Sequence, residues 1–336
     1  MKRRIALGSA VAVLLLALLI HAVGGEDILT ELSKADYRLL GLGFLSGALA
    51  LTFRGLVWGR FIALIDETMS HRRIAGVFLT AMFIKYVTPY GQLATEPFVA
   101  YLVSRDGEMA YEDGLASIVS ADLLNYIPYY TFGFLALGLI ATGDALGDGM
   151  LVQFVAFAGL FVVVASLVYV AVRQPGVVYR LVLGLAATGR RVVGQFTARF
   201  DEPLSHEAVR GRLDGFYATV DTITTDKRTL VIATVYAHLG MAFLMLPIYI
   251  GAIALGYQLA LPVVAIVVAL GKLGSVVPAP GGTGGVEAIV TAGLTTLGGL
   301  EPAAALTVAL IYRVCTYWLT MGIGGLATAV LVVSKP

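Results

Sequence analysis

The sequence predicts an all-α polytopic membrane protein, an inverted-topology repeat with about six full spans and two re-entrant helical hairpins. Three observations carry this. First, 58% of the 336 residues are hydrophobic and 13% charged, with mean hydropathy +0.87, whereas a soluble domain carries about 25% charged residues. Second, one pattern occurs twice. Pro89-Tyr90-Gly91-Gln92-Leu93-Ala94-Thr95-Glu96 and Pro280-Gly281-Gly282-Thr283-Gly284-Gly285-Val286-Glu287 both read P-x-G-x4-E inside apolar stretches. Third, Lys and Arg alternate between loops as the positive-inside rule requires.

A span needs about 20 apolar residues, and six stretches qualify: 5–23, 39–58, 115–142, 150–172, 229–256 and 303–333. The first follows Lys2-Arg3-Arg4 and resembles a signal peptide. It reads as a retained helix, because many spans follow and no convincing A-x-A cleavage site does. Short pieces at 75–88, 97–103 and 288–300, with a borderline one at 261–277, flank the two Pro/Gly breaks. Half-length helices around broken backbone suggest re-entrant hairpins, which survive only inside protein or beside a water-filled cavity. Eight full spans is the alternative, if the short helices stretch or the bilayer thins.

Charge placement sets the orientation. Lys2, Arg3 and Arg4 place the N-terminus in the cytoplasm, and Glu26, Asp27, Glu31 and Asp36 place the next loop outside. Arg60, Arg72 and Arg73 fit inside, Asp144 and Asp148 outside, and the nine basic residues of 173–228 inside, as does Lys335. The first hairpin then enters from the cytoplasm and the second from outside. One membrane domain, 1–336, contains a first half at 39–172 and a second at 229–336. Residues 173–228 form a cytoplasmic amphipathic linker. Within it Val209, Leu213, Phe216, Tyr217 and Val220 recur at helical spacing, as in a helix on the membrane surface. Gly43 and Gly47 form a G-x-x-x-G close-packing signal.

A Pro/Gly-interrupted apolar segment at corresponding places of two halves is the best sequence pointer to a transporter's binding site. The candidate site residues are therefore Lys85, Pro89, Gly91, Glu96 and Asp122 in the first half. In the second they are Lys272, Pro280, Gly281, Gly282, Gly284, Glu287 and Arg313. The prolines interrupt helices and the glycines permit unusual backbone angles, leaving free N–H groups at helix starts that attract anions. Glu96 and Glu287 cap those N–H groups or bind a cationic head group or a coupling proton. Lys85 can snorkel to the interface, whereas Lys272 and Arg313 face a cavity and neutralise a phosphate. At the repeat offset Asp122 faces Arg313, and the two could meet near the midplane. Lys272, Arg313, Glu96 and Glu287 are expected to converge on one cavity.

Other chemistries find little support. Cys315 lies in an apolar run and reads as a buried, inert thiol. No C-x-x-C or H-E-x-x-H spacing supports a metal, no cofactor is implied, and His238, the one histidine inside a span, reads as a core residue. The glycines at 281–285 do not match a phosphate-binding loop. Asp106-Gly107-Glu108-Met109-Ala110 resembles the opening of a CDP-alcohol phosphotransferase motif, but the arginine and the paired aspartates that should follow are absent. No enzyme activity and no nucleic-acid partner are expected.

At these residues the chain resembles the flippase-like membrane domain of lysylphosphatidylglycerol synthases and its stand-alone relatives. The family's second-half signature, P-x-P-G-G-x-G-x-x-E, is complete from Pro278 to Glu287. The first-half signature stands as Thr88-Pro89-Tyr90-Gly91 and Glu96-Pro97, and the last helix carries Tyr312-Arg313 and Tyr317-Trp318. Members often have a basic residue where this chain has Asp122. The aminoacyl-transferase domain is missing, so lysyl transfer to lipid is not expected. The resemblance implies lipid translocation across the cytoplasmic membrane of a prokaryote, with membrane lipids, and a lipid- or glycan-modifying enzyme, as partners. A phospholipid or a polyprenyl-phosphate-linked glycan is the expected substrate. The alternatives are a secondary transporter of a small anionic solute and a non-catalytic membrane scaffold subunit.

Overall fold

A computed structural model describes residues 2–89, 91, 95–106, 109–141, 148–194, 202 and 204–333. Tyr90 and Gln92–Ala94 of the first repeated pattern, Asp144 and Lys335 lie outside the described residues. The described chain is helical throughout, an all-α polytopic membrane protein. Among the described residues fourteen α-helices follow in order: α1 Lys2–Val23, α2 Gly25–Ser33, α3 Tyr37–Ile65, α4 His71–Val87, α5 Glu96–Asp106, α6 Tyr111–Ala141 and α7 Asp148–Arg173. Then come α8 Pro175–Gly194, α9 His206–Thr225, α10 Lys227–Ala254, α11 Leu261–Gly271, α12 Gly285–Thr296, α13 Pro302–Arg313 and α14 Leu319–Val333. A π-helical turn, Val314–Trp318, joins the last two.

Four of these segments are long and apolar enough to cross a membrane: α3, α6, α10 and the α13–α14 unit. The total rises to six if α1 with α2, bent by 80°, and α7 with α8, bent by 89°, each count as one broken span. The first bend is at Gly24, whose φ of 102° suits glycine. The second falls at Pro175, which starts α8 with a φ already suited to a helix. Both α2 and α8 lie where the sequence suggested loop or linker. Two of the long helices, α3 and α10, begin at capped ends: Asp36 accepts from the Arg38 N–H at 2.9 Å and Asp226 from the Thr229 N–H at 2.9 Å.

Two arrays of long, short, short and long helices, α3–α6 and α10–α14, stand about 191 residues apart in sequence. They pack reciprocally. The two long first helices, α3 and α10, lie along each other, α6 packs on α11, and α14 packs on α4. Reciprocal contact of equivalent elements is the mark of a two-fold relation. Gly47 permits the close approach of α3 to the end of the second array, since a Cβ there would fall 1.8 Å from the Cys315 carbonyl oxygen. The G-x-x-x-G signal therefore serves packing within the chain, and Cys315 is buried beside it.

The linker differs from expectation. It contains two helices, and α9 is more than a surface connector. Thr219 donates to Asp113 of α6 at 2.5 Å, and Tyr217 donates to the Ala171 carbonyl at 2.8 Å. Val209, Thr219 and Ile223 of α9 are buried.

Candidate functional site

The two helix breaks are built differently. At the first, Pro89 disfavours helical geometry at Thr88, which turns extended and ends α4. Gly91 then passes so close to α4 that a Cβ would meet the Lys85 carbonyl oxygen at 2.1 Å. The chain re-enters helix at Glu96. Lys85 donates to Glu96 Oε1 at 2.8 Å and also to Asp122 Oδ2. Trp58 Nε1 donates to the other oxygen of Asp122 at 2.8 Å, and the Lys85 ammonium lies 5.2 Å from the Trp58 ring centre. Lys85 is 5% exposed, so it is a buried ion-pair partner and does not snorkel to water.

At the second break α11 tightens into a 3-10 turn, Lys272–Val276, and Pro280 starts a second one through Gly282. Gly281, Gly282 and Gly284 have φ of 58°, 65° and 87°. At Gly281 a Cβ would also fall 2.0 Å from the Tyr317 ring, so glycine is required there twice over. Glu287 divides its oxygens. Oε2 accepts from the Gly284 N–H at 2.7 Å, capping α12, and Oε1 accepts from Arg313 Nε at 2.8 Å. Arg313 Nη2 donates to the Gly281 carbonyl at 3.0 Å, and its guanidinium carbon lies 4.2 Å from the Tyr317 ring centre. One arginine of the last span thus ties down the glycine loop. Both partners are nearly dry, at 8% and 2% side-chain exposure.

A cavity of about 60 Å³ opens at the second break. Arg54, Lys272 and Arg313 line it, with no Asp or Glu among the described lining residues. Tyr86, Tyr129, Tyr312 and Tyr317 supply aromatic walls with phenolic hydroxyls, and Ser275 and Thr316 supply further hydroxyls. Such a lining is a set of hydrogen-bond donors around a small space, suited to an oxyanion. Helix α1 lies across both breaks: a Cβ on Gly8 would meet Pro89 at 2.5 Å, and one on Gly284 would meet Leu15 at 2.4 Å.

A family model for the lysylphosphatidylglycerol synthase TM region matches residues 5–324. The chain belongs to this family. Within it, two relatives from Methanothermobacter thermautotrophicus, each named UPF0104 membrane protein, are 25% identical over 323 and 329 residues. They cover 94% and 96% of this chain and 90% and 94% of their own lengths. Glycosyltransferase AglD of Haloferax volcanii is 26% identical over 327 residues, covering 90% of this chain but 50% of that protein.

Against this geometry, the site expected for the family member is partly rearranged. Lys272 and Arg313 share the cavity, but Glu96 and Glu287 do not line it. Each carboxylate is paired with a cation of its own half, and the attraction offsets part of the cost of taking both charges out of water. Asp122 and Arg313 do not pair with each other either. Arg313 pairs directly with its glutamate, whereas Asp122 and Glu96, both acidic, share Lys85. The start of α12 is closed by Glu287, so the anion-attracting groups are side-chain cations and hydroxyls. Glu96 accepts from Lys85 and its Oε2 is buried without a partner among the described residues. His238 is half-buried, with its ring nitrogens 3.0 Å from Thr131 Oγ1 and 2.8 Å from the Thr234 carbonyl. The sequence reading missed Arg54. The signal was present, a cation deep within the apolar Tyr37–Ile65 segment.

Proposed function

We propose that this protein translocates an amphipathic lipid across a membrane, admitting the polar head to the cavity at the second helix break. The observation that carries this reading is the cavity lined by Arg54, Lys272 and Arg313 inside a bundle whose exterior is apolar. A charged head needs such a lining to leave water, while its tail stays in the bilayer. The two arrays are taken as inverted halves, each with a re-entrant hairpin, in the cytoplasmic membrane. Alternating access then follows from rocking one array against the other. Membership in the family supports the reading. A relative named as a glycosyltransferase favours a polyprenyl-phosphate-linked glycan among the candidate lipids. The small volume also favours a second reading, transport of a small anionic solute.

Reconstitution tests the proposal. Purified protein in liposomes containing a fluorescent anionic phospholipid is exposed to dithionite, with and without a proton gradient. Inner-leaflet label should become accessible faster than in protein-free liposomes, and Ser275→Leu, which fills the cavity, should slow it. Label movement equal to protein-free liposomes under every gradient would overturn the lipid reading. Uptake of radiolabelled phosphate in the same vesicles would instead support the solute reading.

A further inference from the structure

Helix α8 leaves α7 at a bend of 89°. Helix α7 is 26 residues long, enough for a span, which takes about 20. It exposes Val162, Val163, Leu167 and Tyr169, as a helix does that faces lipid. With α7 crossing the bilayer, a right-angle turn at its end lays α8 along the membrane plane.

Helix α8 has two distinct faces. Tyr179 seats it on α9: the hydroxyl donates to Asp214 Oδ1 at 2.6 Å, and the ring stacks on Tyr217 with centres 5.7 Å apart. At about 100° per residue, Leu181 and Leu185 stand about 200° and 240° around the helix from Tyr179. They are 62% and 72% exposed, and Val177 continues their stripe by one turn. Arg180 and Arg191 stand together on one flank, between this stripe and the α9 side. Both are exposed, three turns apart, roughly 16 Å along the axis. Helix α8 contains no Asp or Glu.

An apolar stripe bordered by arginines, on a helix parallel to the bilayer, matches the boundary between head groups and acyl chains. The arginine stems can lie along the stripe while the guanidinium groups reach lipid phosphates. Without a carboxylate on α8, an anionic surface meets only attraction there. We infer that α8 is an in-plane anchor that binds an anionic lipid surface. Leu181 and Leu185 enter the acyl boundary of the leaflet where α7 ends, and Arg180 and Arg191 take the lipid phosphates. Through Tyr179 the anchor holds α9, which Thr219 ties to Asp113 of α6, so it fixes the linker against the first array. This surface is separate from the cavity and serves whether the cavity takes a lipid or a solute.

The test uses the full chain in nanodiscs, in a Cys315→Ser background. A nitrobenzoxadiazole label is placed at Leu185→Cys or at Ala187→Cys, an exposed position on the opposite side of α8. The lipids are phosphatidylcholine with or without phosphatidylglycerol, carrying a spin label near the head group. With phosphatidylglycerol present, the label at 185 should be quenched by the spin-labelled lipid and react slowly with dithionite. The label at 187 should react fast and stay unquenched. Removing phosphatidylglycerol should speed the reaction at 185 at least about fivefold, the worth of about one arginine at an anionic surface. Arg180→Gln with Arg191→Gln should abolish that lipid dependence, and Arg180→Lys with Arg191→Lys should keep it. Equal dithionite rates at 185 and 187 would put the stripe in water and overturn the inference. Slow reaction at 185 without quenching by lipid would mean that protein covers the stripe, which also overturns it. Indifference to phosphatidylglycerol, or an undiminished effect in the double glutamine variant, would overturn the anionic-lipid site. If that variant fails to fold, the comparison of labels and lipids in the arginine-containing protein still decides.

Discussion

Glu287 serves two partners at once, and this makes its substitutions separable. Glutamine can still accept from the Gly284 N–H but loses the ion pair with Arg313. Alanine loses both and leaves a dry guanidinium uncompensated, at a cost of about 3–5 kcal/mol. The melting temperature in detergent should therefore fall more for Glu287→Ala than for Glu287→Gln, and equal losses would deny the capping role. Replacing both partners, as Glu287→Met with Arg313→Met, should recover much of the loss, because the stranded charge is gone. Glu96→Gln should be milder than Glu287→Gln, since among the described residues Oε2 of Glu96 already lacks a hydrogen-bond partner, whereas Glu287 also caps a backbone N–H. The identities of these carboxylates were legible in the sequence, because a charge in an apolar run stands out. Their partners were not. Lys85 could be read as an interfacial residue because it lies near the end of α4, and only the packing of α6 and α3 around it brings Asp122 and Trp58 to its ammonium. Arg54 could have been found by the argument that singled out Arg313.

The helix breaks show which local features a sequence discloses. Prolines and glycines have few alternative readings, so both breaks were placed to within a few residues. The short helices beside them followed from the lengths of the apolar runs. Helices α2 and α8 escaped notice because α2 is short and charged and α8 is amphipathic, and neither looks like a span. The strictest local requirement is at Gly281. Its φ of 58° costs another residue about 1–3 kcal/mol, and the Tyr317 ring occupies the place of a Cβ. Gly281→Ala should abolish monodisperse folded protein in fluorescence-detected size exclusion. Gly41→Ala, with open space around it, should elute as wild type. Folded Gly281→Ala protein at wild-type yield would mean that the loop does not press against Tyr317.

The reciprocal packing of the two arrays carries the larger claim, that they are inverted halves meeting around one anion site. In a Cys315→Ser background, Ala110→Cys should label from the cytoplasm and Glu301→Cys from outside. Thr88→Cys separates hairpins from full spans: a re-entrant tip stays within the membrane, whereas a complete crossing by α4 would present it to external reagent. Rapid external labelling of Thr88→Cys would replace the hairpins with eight spans. The most direct measurement concerns the cavity itself. A photo-crosslinking amino acid at Thr316, on the cavity wall, is compared with one at Leu135, exposed on the apolar exterior of α6. The protein is irradiated in liposomes of an anionic phospholipid, and the adducts are mapped by mass spectrometry. Lipid entry predicts head-group adducts at position 316 and acyl-chain adducts at position 135. Acyl-chain adducts at 135 with none of any kind at 316 would contradict it.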